Sequence, residues 1–528
     1  MRRRSRRSER NIDDSSPIIE DGHPLIELRG IDKWFGGVHA NREISLVVQP
    51  GTIHGVVGEN GAGKSTLMGI LYGYYRPDRG EILVRGRAVG LRSPQDALAA
   101  GIGMVHQHFM LVEPFTVLEN VVLGVEGGVR LGAGLARARA ELARLGREYH
   151  LEVDPDARVA DLGVGQRQRV EILKALYRNA DILILDEPTA VLTPQEADHL
   201  FAILRALRRR GKTVLLITHK LREIREITDV VTVMRQGRVV ATLPTADTTP
   251  ERLAELMVGR PVSLRVDKAP ARPGEPVLEV EDLVVVDGLG VPRVKHVSFT
   301  VRRGEIVGVA GVAGNGQSEL LEALAGMRPV ASGRILVVGH EVADHAAGTP
   351  RRLRRLGAAH VPEDRHRTGL VIPFAGRESA ILGYHGDAAY NGAIRLRRSA
   401  VAASWRRQVS EYDIRPGDGR LPTSAFSGGN QQKIVLAREL DRDPDLLLVG
   451  QPTRGVDIGA IEFIHRRLVA LRDAGRAVLV VSVELDEILA LADRILVMHD
   501  GRLVGDVPRA AATERGLGLM MAGLPEAG

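Results

Sequence analysis

The chain contains no cysteine, which excludes disulfides, thiolate zinc sites and a cysteine nucleophile together and leaves a reducing compartment as the simplest setting. It also lacks any apolar run near the roughly eighteen residues that a membrane-spanning helix needs. The longest runs, such as Ala477 to Val481, have the length of strands. The opening MRRRSRRSER lacks the apolar stretch of a signal peptide. What remains is an ordinary globular composition, 44% hydrophobic and 26% charged over 528 residues, enough for about two to four domains with large cores. The net charge of +6 resides mostly in the tail, because Met1 to Arg10 carries six arginines against one glutamate. Residues 1–23 are expected to be a basic disordered tail that can touch anionic lipid, and the nearly neutral body gives no reason to expect a nucleic-acid partner.

One glycine-rich stretch organises the rest. Gly58 to Thr66 reads GENGAGKST, follows apolar Ile53, Val56 and Val57, and runs into a helix expected through Leu67 to Leu71. The spacing of Gly58, Gly63, Lys64 and Ser65 is that of a phosphate-binding loop, with the strand before and helix after that the motif requires. Without a Cβ at Gly58, Gly61 and Gly63, backbone N–H groups can close on phosphates, and the helix N-terminus adds its positive dipole end. Lys64 is then expected to reach the β- and γ-phosphates and Ser65 to ligand Mg2+.

The chain also repeats itself. ISLVVQPGTIHGVVG at Ile44 to Gly58 returns as VSFTVRRGEIVGVAG at Val297 to Gly311, 253 residues on, and GEILVRG at Gly80 to Gly86 returns as GRILVVG at Gly333 to Gly339. VMRQGRVV at Val233 to Val240 returns as VMHDGRLV at Val497 to Val504 with an offset of 264, so the second copy has gained 11 residues midway. This is a tandem duplication. Its seam, Pro261 to Pro276, holds four prolines and reads as an exposed linker. The expected domains are residues 24–260 and 276–524, joined by a linker at 261–275. Continuous apolar runs at Ile182 to Leu185, Val214 to Ile217, Leu446 to Val449 and Val478 to Val481 predict strands buried on both faces of a mainly parallel sheet. Leu135, Leu142, Leu145 and Tyr149 mark one face of a helical insertion within Leu131 to Leu151.

In the first copy the strand Ile182 to Leu185 runs into Asp186 and Glu187, two carboxylates at the carboxyl end of a strand, where open α/β sheets bind ligands. Asp186 can hold Mg2+ and Glu187 can polarise water. His219 ends another strand within reach of a γ-phosphate, although a lone histidine there is more often without a role. Gln107, in VHQHF, and the run Leu162, Gly163, Val164, Gly165, Gln166 complete the series. In this order the motifs resemble a nucleotide-binding domain of an ABC transporter, over roughly residues 24 to 522.

The resemblance implies an α/β fold of two tandem P-loop NTPase domains, each a mainly parallel sheet with flanking helices and a helical insertion. It implies ATP and Mg2+ as cofactors, with Glu187 and His219 catalytic and Ser65, Gln107 and Asp186 at the metal. It assigns nucleotide binding to Gly58, Glu59, Asn60, Gly61, Ala62, Gly63, Lys64, Ser65 and Thr66, with Phe35 stacking on adenine in preference to Trp34. In that family two domains meet head to tail, so Ser427, Gly428, Gly429 and Gln431 of the second signature would face the first P-loop.

The second copy is altered where chemistry happens. Gln317 stands in place of Lys64, Gly450 and Gln451 in place of Asp186 and Glu187, Val483 in place of His219, Glu363 in place of Gln107, and Asp287 falls near the position of Phe35. The metal carboxylate and the base are thus expected to be missing, yet the signature Phe426 to Gln431 is intact. In the first signature Gly163 occupies the usual serine position, losing a hydroxyl that at a charged group is worth about 1.5 to 3 kcal/mol. A glycine there also suits a helix N-cap.

VPEDR at Val361 to Arg365 and QPTRGVD at Gln451 to Asp457 resemble the ATPase subunits of importers for ribose, galactose and related sugars. Met104 to Gly124 looks more like the nucleoside importers of that group. Such a subunit works at the cytoplasmic face of the membrane with two integral-membrane permease subunits and, through them, an extracytoplasmic binding protein. The alternative, a soluble tandem factor acting on ribosomes, typically has two catalytic glutamates and a long charged linker, whereas this linker is short and Gln451 is no base.

Overall fold

The computed structural model describes residues 24–524 apart from 107–108, 126–130, 190–191, 193, 219, 263–265, 313, 343–348, 393–394 and 457, so the basic tail lies outside the described residues. The chain forms two units, the first built from residues up to Pro188 with Phe201–Met257, the second from Thr189–Leu200 with the residues from Val258 onward.

The first unit holds a six-stranded sheet in the order Arg238–Pro244, Val230–Arg235, Ile53–Gly58, Thr213–Ile217, Ile182–Asp186, Ile102–Val105. Its first pair is antiparallel and the other four are parallel. The second unit repeats this order as Arg502–Pro508, Arg494–His499, Ile306–Ala310, Ala477–Ser482, Leu446–Gly450, Ala358–Val361, again with only the first pair antiparallel. The four apolar runs read from the sequence are all central strands of these sheets. Their alternate residues serve two cores. Leu447, Val449, Val478 and Val480 face one cluster, while Leu446, Leu448, Leu479 and Val481 face the other. Covering both faces is what makes such strands read as unbroken apolar runs.

Each unit also carries a four-stranded antiparallel sheet that the sequence reading does not contain. In the first its order is Val38–Val48, Ile26–Phe35, Arg79–Val84, Arg87–Ala88, and in the second Pro292–Arg302, Pro276–Val286, Ser332–Val337, His340–Glu341. The signal was the alternation at Ile44, Leu46 and Val48, which are buried between exposed or half-buried neighbours. This sheet and the parallel one clasp the helix Lys64–Leu71 between them. Leu67, Met68, Ile70 and Leu71 pack with Ile26, Leu28 and Ile44 as well as with Val56, Ile184 and Leu215. A short helix that buries both of its sides has its first turn held in place by two sheets.

The helical insertion of the first unit is the helix Leu131–Tyr149, packed with Val117–Val122 and Val164–Tyr177 through Val121, Ala138, Leu142 and Val170. As the spacing predicts, Leu142, Leu145 and Tyr149 are buried. Thr116 caps the helix Val117–Val122 in a reciprocal exchange with Glu119, worth about 1 kcal/mol. Among the described residues no helix is long and apolar enough to cross a membrane.

One histidine is buried in these cores, and another, His360, is half-buried on the strand Ala358–Val361 with its ring Nε2 out of contact with solvent. His54 lies on the strand Ile53–Gly58 with Nε2 2.8 Å from Thr232 Oγ1, and burial pulls it down to about 4. Burial likewise brings His360 to about 4. The folded state therefore favours the neutral rings. Their contribution is complete above the unfolded value near 6.5 and is lost as pH falls toward about 4. Unfolding free energy from urea titrations is expected to decline across this window by roughly 1.4 kcal/mol per pH unit for each histidine. The His54→Gln variant is expected to decline less steeply.

Candidate nucleotide site

The loop between Gly58 and Lys64 has little conformational choice. Gly63 caps the helix at φ 98°, a left-handed conformation, and a Cβ there would lie 2.5 Å from the Ala40 carbonyl oxygen. A Cβ on Gly58 would lie 2.4 Å from the Met234 carbonyl oxygen on the neighbouring strand. Lys64 is buried, and its Nζ donates to the carbonyls of Gly58 at 2.6 Å and Glu59 at 3.0 Å. Ser65 is exposed at the helix start, with Thr66 half-exposed beside it; Asn60 and Gly61 are also on the surface, and Ala62 is buried beneath. Lys64 thus lies in reserve on the loop, one side-chain rotation from a phosphate above the helix N-terminus.

The carboxylates arrive from the side. Parallel register sets Asp186 opposite Ile217, and the Glu187 N–H donates to the Ile217 carbonyl at 2.8 Å. Glu187 has φ 47°, a strained conformation for a residue with a side chain. Burial, and then the neighbouring Glu187 charge, push Asp186 up to about 6, with Lys64 acting the other way. Burial lowers Lys64, opposed by Glu187, Asp186 and Glu59. Two acids face one buried amine, so the set is short of positive charge. That deficit, with the Ser65 hydroxyl nearby, fits a hard divalent cation. Among the described residues no three His, Asp or Glu side chains form a metal cage by themselves.

Phe35 is 42% exposed, meets Tyr75 edge-on at 5.1 Å and has Lys33 Nζ 5.5 Å from its ring centre. It is therefore no core aromatic, whereas Trp34 is stacked on His39 at 4.1 Å. Gln107 and His219 lie outside the described residues.

The two signatures differ in their caps. Ser427 opens the helix Gly428–Leu440, its Oγ accepting from Asn430 Nδ2 at 2.9 Å and Asn430 N at 3.4 Å. Gly429 is buried behind it. Gln431 is also buried, its Nε2 donating to the Thr423 carbonyl at 3.1 Å and its Oε1 2.7 Å from His366 Nε2. Sequence reasoning passed over Arg365, although it lies within VPEDR. Its guanidinium donates to the Arg454 carbonyl at 2.9 Å and lies 2.8 Å from where a Gly428 Cβ would be. In the first unit Gly163 caps Val164–Tyr177, and its N–H donates to Gln166 Oε1 at 3.3 Å.

The second loop keeps the frame of the first. Gly316 has φ 97° and Gln451 has φ 47°, with the Gln451 N–H donating to Val481 O at 2.8 Å. Gln317 is buried with its amide over Gly311. Asp287 is a loop-builder, accepting from Leu289 N, Val291 N and Arg293 Nε at 2.9 to 3.0 Å, and these bonds lower its pKa. The expected loss of the metal carboxylate needs qualifying. Glu363, raised by burial, accepts a 2.6 Å hydrogen bond from Ser318 Oγ. A carboxylate therefore stands at the P-loop serine after all, supplied by a different strand end.

A glycine loop leading into a helix clasped between two sheets, a lysine folded on that loop and paired acids at the end of the strand Ile182–Asp186, one strand removed, define a P-loop nucleoside triphosphatase. The chain belongs to the ABC transporter family, as an ATPase, and the family model matches residues 41–190 and 294–454. It is 48% identical over 499 residues to the nucleoside import ATP-binding protein NupA of Lactococcus lactis subsp. cremoris, covering 94% of this chain and 98% of that protein. It is 49% identical over 499 residues to the guanosine import ATP-binding protein NupO of Bacillus subtilis, covering 94% and 97%. Against the glucose import ATP-binding protein TsgD13 of Haloferax volcanii the identity is 44% over 530 residues, covering 95% and 96%.

Replacing Glu187 by Gln is expected to lower ATP turnover by about 10² to 10⁴-fold with nucleotide binding retained. Lys64→Ala is expected to weaken binding as well. Phosphate release and equilibrium binding measured side by side check both, and parental hydrolysis by Glu187→Gln excludes it as the water-orienting group.

Proposed function

We propose that the chain is the ATP-hydrolysing subunit of an importer whose substrate is a nucleoside, working at the cytoplasmic face of the membrane with two integral-membrane permeases and an extracytoplasmic binding protein. The reading rests on the charge set at the first P-loop, where one buried lysine is outnumbered by Asp186 and Glu187. Such a set is fit to receive a metal–triphosphate and to act on water beside it.

In the proposed cycle, ATP lies on Gly58 to Thr66 with Phe35 against the base. Lys64 leaves the loop carbonyls for the phosphate oxygens, a move between polar partners that never strands the amine. Ser65 and Asp186, with Gln107, would hold Mg2+, which would supply charge neutralisation at the phosphates. Glu187 orients the attacking water and His219 contacts the γ-phosphate. Ser427, Gly428, Gly429 and Gln431 complete the site by head-to-tail pairing, with Gln431 acting from beneath to hold the helix start. Binding closes the pair, hydrolysis reopens it, and the permeases follow.

Two observations favour this reading over a ribosome factor. Met110, Phe115, Leu123 and Val125 are exposed around the segment after Gln107, at 60%, 39%, 42% and 42%, where the permease helices are expected to seat. An apolar surface of this kind suits a protein partner. The nucleoside assignment draws on Met104 to Gly124 and on the nucleoside and guanosine importers among the relatives.

Reconstituted with its permeases and binding protein, the ATPase is expected to respond to purine or pyrimidine nucleosides more than to free ribose, galactose, xylose or glucose. Stimulation by a free sugar alone overturns the substrate class and leaves the ATPase standing. In single-turnover hydrolysis with trapped nucleotide, one ATP is expected to be cleaved per chain. Cleavage of two at similar rates overturns the assignment of chemistry to the first unit.

A further inference from the structure

We propose that the second unit carries an arginine-rich surface, made by the helix Thr349–Arg355 and the segment 380–398, that binds anionic lipid headgroups. The proposal rests on the reading of the chain as a membrane-associated subunit and gives it a contact of its own with the bilayer.

The helix reads TPRRLRR. Leu353 is buried beneath it, and Arg352 turns to the Glu341 carbonyl at 2.9 Å. Arg351, Arg354 and Arg355, at i, i+3 and i+4, share another face. From that face Arg354 lies 5.1 Å from the ring centre of Tyr384, which sets the helix against the connection between the helices Gly376–Ser379 and Arg398–Tyr412. The connection is firmly mounted. Arg442 lies against the rings of both Tyr384 and Tyr390, 4.5 and 5.2 Å from their centres, and pairs with Asp387 at 2.9 Å. Tyr384 Oη donates to buried Glu439 at 2.6 Å, and the Arg397 N–H donates to the Tyr390 carbonyl at 2.7 Å. Arg395, Leu396, Arg397 and Arg398 are thereby held at the surface, with Leu396 46% exposed. Asp387 is taken by Arg442, and none of Arg351, Arg355, Arg395, Arg397 and Arg398 forms an ion pair among the described residues.

The duplication supplies a control. In the first unit the corresponding helix, Pro94–Ala99, reads PQDALA, with an acid and no base. The connection there, 123–130, is shorter than 380–397 and sets Arg130 against Glu126. The fold therefore does not need these arginines. Like charges at i and i+4, as at Arg351 and Arg355, destabilise a helix, so the array points to a ligand that neutralises it.

That ligand has the chemistry of a bilayer surface. Guanidinium groups bind phosphate oxygens in forks, and a leucine flanked by arginines can enter the acyl boundary while they stay at headgroup level. Cations spread over a helix face and a loop suit charges that rearrange to meet them, as lipids do and a folded acidic protein does not. The loop also follows the counterpart of the segment proposed to receive the permease helices, which brings it near the bilayer.

The experiment is co-sedimentation of the full chain, without permeases or nucleotide, with vesicles of phosphatidylcholine alone or mixed with phosphatidylglycerol. To remove the contribution of the basic tail, Arg2, Arg3, Arg4, Arg6, Arg7 and Arg10 are replaced by glutamine throughout. This protein is expected to bind the phosphatidylglycerol vesicles, to ignore those of phosphatidylcholine and to dissociate as salt rises. Each arginine lost from the surface is expected to lower partitioning about fivefold. Replacing Arg351, Arg355, Arg395, Arg397 and Arg398 together by glutamine is therefore expected to abolish binding, with thermal unfolding and basal ATP hydrolysis as in the parent. Leu396→Glu and Arg355→Glu, tested singly, are each expected to weaken binding, so the outcome does not hang on the folding of the multiple variant. The proposal is overturned by absence of binding to phosphatidylglycerol vesicles, by equal binding to both kinds, or by undiminished binding in the variants. Tighter binding to a single-stranded RNA in the same salt overturns it as well. Because neither permease nor substrate is present, failure here leaves the importer reading standing, and failure of that reading leaves the vesicle result untouched.

Discussion

A buried ammonium group cannot stand alone, and the first P-loop is built around that constraint. Lys64 Nζ is held by two carbonyl oxygens of the loop that it will serve. Its charge is tolerated because Asp186 and Glu187 lie near enough to oppose the effect of burial. Those acids are coupled in turn, since Asp186 is raised by burial and by Glu187 and lowered by Lys64. Removing Lys64 alone leaves two partly buried acids without compensation, an error that typically costs about 3 to 5 kcal/mol when both partners are well buried and less when water reaches them. This accounts for the pattern in the second unit, where Gln317, Gly450 and Gln451 replace all three. Loss of the lysine alone would have left both acids unpaired, whereas the three replacements together leave no charge behind.

Chemistry and frame have parted company in that second unit. The left-handed caps at Gly63 and Gly316 are alike at φ 98° and 97°, and added Cβ atoms would collide with the carbonyls of Ala40 and Arg293 at 2.5 and 2.2 Å. Glu187 and Gln451 share φ 47° and the same backbone bond to the adjacent strand. A strained backbone at a position with no base serves no proton transfer. It does serve the sheet, because each of these turns ends a central strand whose alternate residues fill two cores. The frame is therefore held by packing even where the reaction is not, and the signature helix Gly428–Leu440 packs against the same core through Ile434, Val435 and Leu436.

The parts of this architecture that depend on local pattern were legible in the sequence. The phosphate loop, the duplication, the central strands and the helix Leu131–Tyr149 each follow from glycine spacing, self-similarity or apolar period. The parts that depend on what lies opposite were not. The antiparallel sheet needed its half-buried alternation to be weighed against two partner strands. Glu363 was visible as a substitution for Gln107, but its bond to Ser318 depends on the empty volume above Gly450, which no linear pattern records. Gln431 looked like a ligand-facing residue of the signature and is instead tied beneath the helix by Thr423 and His366. Arg365 sat unremarked inside a motif string, because only the fold brings it to Gly428.

The two units are unequal in opposite ways. The first has the full set of acids and lysine, but its signature begins at Gly163, which offers no hydroxyl and whose N–H is engaged by Gln166. The second has no residue like Glu187 at Gln451, but its signature begins at Ser427, whose oxygen accepts from Asn430. A chain in which decay had struck one copy at random would show losses in that copy alone. Here the reacting groups survive in one copy and the better phosphate-capping helix start in the other. Neither unit holds both sets.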